Sequence, residues 1–109
     1  MVSINSIKSK KLNGEIIVPG DKSVSHRALM LGACALGKTT IENLLESEDV
    51  LSTLEALREL GININKNCKF WEVQGNGLGG LRNPDKILNL GNSGTGVRLL
   101  MGLVSGCNI

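Results

Sequence analysis

Apolar and polar positions change period along this chain, and each change marks an element. Gly14-Glu15-Ile16-Ile17-Val18 is a short β-branched run closed by Pro19-Gly20, which predicts a strand ending at a turn. From Ser23 or Ser25 to Leu36 the pattern turns helical, and Ala28 to Leu36 is apolar on nearly every face, as in a buried helix capped by Gly37. Thr39 to Leu44 reads as a strand. Leu51, Leu54, Leu57 and Leu60 then recur at helical spacing, predicting an amphipathic helix from Glu48 to Leu60, stopped by Gly61. Ile62–Ile64 and Phe70–Val73 predict a hairpin around Lys66-Asn67, and the glycine-rich stretch Gly75 to Gly80 a surface loop. Ile87 to Leu90 predicts a last short strand, and Thr95 to Ser105 an apolar helix capped by Gly106. Cys107-Asn108-Ile109 reads as the beginning of a further strand. The order β, α, β, α, β, β, then β, α predicts an α/β (α+β) fold with interleaved helices and strands.

Composition narrows the function classes. The 109 residues suffice for one modest domain, and 41% hydrophobic with 20% charged positions is ordinary for a globular protein. A net charge of +2 and an aromatic content of 2% argue against a nucleic-acid surface, which needs cations and stacking rings. Cys34, Cys68 and Cys107 are odd in number and far apart, so free thiols in a reducing compartment are expected. The polar run Met1 to Asn13 carries Lys8, Lys10 and Lys11 without a signal-like apolar core, and Ala28 to Gly37 is too short to span a bilayer. A cytoplasmic location with no membrane partner is the expectation.

Two loops carry the candidate chemistry. Pro19-Gly20-Asp21-Lys22-Ser23-Val24-Ser25-His26-Arg27 and Leu90-Gly91-Asn92-Ser93-Gly94-Thr95-Gly96-Val97-Arg98 each follow a strand-like run, open into a helix and end in arginine. A helix N-terminus, free amides and cations together suit an anion. Lys22 and Arg27 supply a compact charge and a planar fork, and Ser23 either donates its hydroxyl to a phosphate or simply caps the helix. His26 reads as structural. In the second loop Gly91, Gly94 and Gly96 allow close backbone approach, and Asn92, Ser93 and Thr95 add hydrogen-bonding groups. Arg98 suits a ligand contact or a structural ion pair, and Glu48 and Asp49 suit helix capping or an acid pair. Taken alone, the first loop also reads as a solvated turn and the second as a flexible connection. Gly32 to Thr39 satisfies the P-loop pattern G-x-x-x-x-G-K-[ST], but here a helix leads in and a strand leads out, the reverse of a phosphate-binding loop.

These two loops, with Leu45-Glu46-Ser47-Glu48-Asp49-Val50 between them, resemble the signature regions of the 5-enolpyruvylshikimate-3-phosphate synthase family, and the likeness runs from about Leu12 to Gly106. The resemblance implies transfer of the enolpyruvyl group of phosphoenolpyruvate to the 5-hydroxyl of shikimate 3-phosphate, on the way to chorismate and the aromatic amino acids, with no metal or organic cofactor. It implies that Lys22, Ser23 and Arg27 bind shikimate 3-phosphate, that Lys22 (the one catalytic candidate) and Gly94 meet phosphoenolpyruvate, and that Asn92, Thr95 and Arg98 are neighbours. Members that resist glyphosate can carry alanine at the position of Gly94, so Gly94 implies room for that inhibitor. Many members carry proline at the position of Leu99, which marks this chain as divergent.

Family members have two domains, each of three βαβαββ units, with the site in the cleft, and are usually monomeric. By that pattern residues 1–20 are opening strands that join the second domain, and 21–109 are the first βαβαββ unit plus the start of the next. The later arginines and acidic residues of the family site have no counterpart here, so the chain alone is expected to be inactive and to bind weakly. The alternatives are the related UDP-N-acetylglucosamine enolpyruvyl transferase, whose loop has Asn where this chain has Ser23, and a non-catalytic fragment.

Overall fold

A computed structural model describes residues 2–109; Met1, at the head of the polar N-terminal run, lies outside them. The elements are α1 (Lys22–Cys34), β1 (Leu36–Glu42), α2 (Glu48–Glu59), β2 (Asn63–Asn67), β3 (Phe70–Asn76) and α3 (Gly94–Val104). The strands form one antiparallel sheet in the order β1-β3-β2. Strand alternation explains its two faces. Val73 pairs with Thr39 and Ile64 and points into the core, whereas Glu72 and Gln74, with Lys38, Thr40, Asn63 and Asn65 opposite them, form a polar outer face.

The helices cover the inner face. Leu29, Met30 and Ala33 of α1, Val50, Leu54 and Leu57 of α2, and Leu100 of α3 meet Ile62, Ile64 and Val73 in one core. On α1 (His26, Leu29, Met30, Ala33) and α2 (Val50, Thr53, Leu54, Leu57) the buried positions follow the i, i+3, i+4, i+7 spacing of one helix face. Gly75, expected in a surface loop, ends β3 instead. The carbonyls of Gly32 and Ala35 occupy the space that a Cβ there would need, so glycine is what lets α1 lie against the strand.

Six of the eight expected elements are therefore present in order, and several details differ. Residues 14–18 form no strand: they lack a neighbouring chain to complete a ladder, and Ile17 is 96% exposed. Residues 87–90 likewise stay unpaired, with Leu88 and Leu90 packed on the core and Ile87 in solvent. No strand begins at 107–109. Helix α1 stops at Cys34, so Leu36 and Gly37 (φ 91°) open β1 and Gly37 is no cap, while Gly61 (φ 91°) does follow the end of α2.

The hairpin turns at Cys68-Lys69, two residues later than expected. Lys66 stays in β2 because its ammonium lies 5.6 Å from the Trp71 ring centre and 2.6 Å from Glu46 Oε1. Helix α1 is not buried all round either: Leu31 is 70% exposed, because nothing among the described residues covers that side. The P-loop-like letters fall across the end of α1 and the start of β1, and Lys38 pairs with Glu72 at 2.9 Å on the outer face.

Candidate functional site

The first loop is organised by Asp21. Its Oδ1 accepts from the Val24 amide at 2.8 Å, so Asp21 rather than Ser23 or Ser25 is the N-cap, and α1 begins at Lys22. Ser25 Oγ donates to the Asp21 carbonyl at 2.7 Å and accepts from the Leu45 amide at 3.0 Å, tying the loop to the segment before α2. Gly20 lies so close to the Asn43 carbonyl that no side chain fits there.

These ties leave Lys22 at the head of α1 beside the first turn of α2. Lys22 Nζ donates to Asp49 Oδ2 at 3.0 Å, and Arg27 Nη1 donates to the Ser23 carbonyl at 3.1 Å. Asp49 therefore partners Lys22 in addition to favouring the positive end of α2. Half-exposed as the pair is, it orients the ammonium more than it stabilises the fold.

The second loop is capped by Ser93, whose buried Oγ accepts from the Gly96 amide at 3.1 Å. Neither cap uses the first-turn amides of Ser23 and Thr95. Gly94 is exposed, and a Cβ added to it would meet only Arg98 Nη1, at 4.0 Å. No carboxylate pairs with Arg27 or Arg98 among the described residues. Asn92 is exposed and Thr95 half-buried on the same turn.

A buried polar connection links the two loops. His26, one turn into α1, places Nδ1 2.9 Å from Thr53 Oγ1 of α2, and both side chains are 0% exposed. Thr53 Oγ1 in turn lies 2.7 Å from where a Cβ on Gly96 would stand, as does Ser93 Oγ. The heads of α1 and α3 thus sit at one end of the helix layer, held by Thr53 between them. Lys22, Ser23 and Arg27 belong to one side of that junction, and Asn92, Gly94, Thr95 and Arg98 to the other.

Clefts lie between α2 and residues 86–89 and near Cys34 and Cys107. Burial pushes the Cys34 thiol up, with the neighbouring Cys107 adding to it, and all three cysteines are free. Burial likewise holds His26 below the ordinary imidazole range; Asp49 opposes this, while Lys22 and Arg27 reinforce it. No group of three potential metal-ligating side chains occurs among the described residues, and no helix there is long and apolar enough to cross a membrane.

Sequence reasoning missed Asp21, Ser25 and Thr53 as organisers. Asp21 could have been found as an acid three residues before an amide in the first turn. Thr53 could have been found as a polar residue inside the Val50–Leu54–Leu57 stripe.

Known proteins sharing this arrangement point one way. The family described as EPSP synthase (3-phosphoshikimate 1-carboxyvinyltransferase) matches residues 7–109. A 3-phosphoshikimate 1-carboxyvinyltransferase of Rhodopseudomonas palustris is 55% identical over 103 residues, covering 94% of this chain and 23% of the relative. That of Parvibaculum lavamentivorans is 54% identical over 105 residues, covering 95% and 23%. Among solved structures, an EPSP synthase from Acinetobacter baumannii superposes with a TM-score of 0.77 at 47% identity, covering 84% of this chain and 21% of that one. The chain spans about a quarter of the length of the curated relatives it matches. With the family profile matching nearly all of its sequence and the solved fold following the same course, the chain belongs to the EPSP synthase family.

Proposed function

We propose that this chain supplies the amino-terminal part of a transferase that moves the enolpyruvyl group of phosphoenolpyruvate onto the 5-hydroxyl of shikimate 3-phosphate. The observation that carries the reading is the junction of the two cationic loop–helix modules through His26, Thr53 and Gly96. Lys22, Ser23 and Arg27 hold shikimate 3-phosphate. Lys22 and Gly94 border phosphoenolpyruvate, with Asn92, Thr95 and Arg98 around it.

The chemistry follows from the charges. The 5-hydroxyl gives up its proton to a base as its oxygen bonds to C2 of phosphoenolpyruvate and C3 takes a proton, giving a tetrahedral intermediate that carries the phosphate. Loss of a C3 proton and cleavage of the C2–O bond to phosphate restore the double bond. Both substrates stay polyanionic throughout, so cations fixed beforehand lower the barrier without reorganising. In this reading Lys22 holds both anions and passes a proton, and its ion pair with Asp49, which orients the ammonium, supports that role. Residues 1–20 join a second domain, 21–109 form the first βαβαββ unit and the start of the next, and the enzyme works as a cytoplasmic monomer.

By itself the chain falls short of catalysis. Each exposed helix terminus contributes about 0.3–1 kcal/mol to a bound anion. Micromolar affinity requires about 8.2 kcal/mol, so millimolar binding without turnover is expected. The test is an amide-resolved NMR titration with shikimate 3-phosphate and, separately, UDP-N-acetylglucosamine. Shifts at Lys22, Ser23, Arg27 and Gly94 with the first ligand alone are expected. The same shifts with the sugar nucleotide would overturn the assignment, and phosphate release by the chain alone would overturn its inactivity.

A further inference from the structure

His26 is fully buried, and only one of its nitrogens has a partner: Nδ1 meets Thr53 Oγ1 at 2.9 Å, while Nε2 has none among the described residues. A neutral imidazole carries one N–H and one bare lone pair. An orphaned buried N–H costs more than an unused acceptor. Either neutral tautomer keeps the contact, with Nδ1–H donating to the Thr53 hydroxyl or the hydroxyl donating to a bare Nδ1.

Protonation changes that balance. The imidazolium carries an Nε2–H with no acceptor among the described residues and a buried charge facing Lys22 and Arg27 of α1, against Asp49 of α2, which is already paired with Lys22. The remaining charges on the packed elements offer no relief: Glu48, Glu55 and Arg58 of α2, Arg98 of α3 and Glu42 of β1 are exposed, Glu59 of α2 pairs with Lys86, and Lys38 of β1 pairs with Glu72 of β3. Thr53 is meanwhile the surface on which the first turn of α3 rests, with no room beneath Gly96 for even a methyl group.

We propose that His26, as a neutral imidazole, is a positioning residue that holds the Lys22 loop against the Gly94 loop through Thr53, and that its protonation releases the two loops from each other. The consequence for ligand rests on the function proposed above, whereas the coupling of the loops stands without it.

The experiment is a pH titration of the intact 109-residue chain by NMR, following the His26 ring nitrogens together with all backbone amides. The expected result is a ring that titrates below the ordinary value of about 6.5, and Thr95 and Gly96 amides that move with the same midpoint while β-sheet amides stay fixed. His26→Asn keeps a donor near the Nδ1 position but cannot titrate, so it should abolish the acid response of α3. Thr53→Val should leave the ring titrating and uncouple it from α3.

With shikimate 3-phosphate as probe, the wild type should lose affinity relative to His26→Asn by up to about tenfold per pH unit below the ring's midpoint. The phosphate's own titration is common to both proteins and cancels. A ring that titrates normally with α3 unmoved, an acid response that survives in His26→Asn, or a collapse of the whole spectrum at that midpoint would overturn the proposal. If α3 follows the ring but the ligand perturbs neither loop, the coupling stands and the substrate assignment falls.

Discussion

Gly94 and Gly96 lie two positions apart on α3 and meet opposite surroundings. A methyl group on Gly94 has only the Arg98 guanidinium within 4.0 Å, whereas on Gly96 it would stand 2.7 Å from both Ser93 Oγ and Thr53 Oγ1. Gly94→Ala should therefore stay within about 0.5 kcal/mol of the wild-type unfolding free energy. Gly96→Ala should lose about 1–3 kcal/mol as the junction is overpacked, and urea titrations of the two variants would separate them. His26 acts at the same scale through pH. With its native pKa held below the unfolded value, stability is full above the ordinary imidazole range and declines as pH falls below it. The slope is at most about 1.4 kcal/mol per pH unit. Denaturant midpoints for the wild type should fall on that side, and those of His26→Asn should lack this component.

At the scale of elements, α1 is fixed at its head by Asp21 and along its length by the close approach of β3 at Gly75. Asp21→Ala removes the acceptor of the Val24 amide and should cost about 1 kcal/mol in a thermal melt. The hairpin offers a different readout. Trp71 is the chain's one tryptophan, and its indole N–H donates to Glu46 at 3.0 Å. The hydrogen bonds from Lys66 and Trp71 hold the Glu46 carboxyl below its usual range. That contribution is present above the ordinary glutamate value and lost as pH falls through the lower native one, so Trp71 emission should change below about pH 4.3 and Glu46→Gln should remove the step. What the sequence disclosed here follows from the kind of force involved. The helices and the hairpin were legible because their apolar spacing is local. The loop pair was legible because glycine and cations mark an anion site by type. The cap at Asp21 competed with two nearby serines, and Thr53 acts across three helices, so neither stood out in one dimension. The strands expected at 14–18 and 87–90 have the right composition, but a strand exists only with a neighbour.

For the whole molecule, the distribution of apolar surface is the governing fact. The helix layer is saturated on the side facing the sheet and bare on the other. Val24, Ala28 and Leu31 recur at i, i+4 and i+7 along α1, and Val97 and Met101 at i, i+4 along α3, with Leu31 70% and Met101 64% exposed. Ile4, Ile7, Leu12, Ile16 and Ile17 add exposed side chains along the first twenty residues. Exposed apolar side chains in this number drive association, because removing them from water is favourable at about 25 cal/mol per Å². The net charge of +2 gives little repulsion against it. The chain alone should therefore self-associate, and sedimentation velocity over a concentration series should show a rising weight-average mass. Leu31→Lys with Met101→Lys should shift that series toward monomer without lowering the melting temperature, since neither side chain belongs to the core. A wild-type chain that stays monomeric over the whole series would show that these stripes are too small to act as a sticky surface. A double variant that melts earlier would show that they stabilise the fold itself.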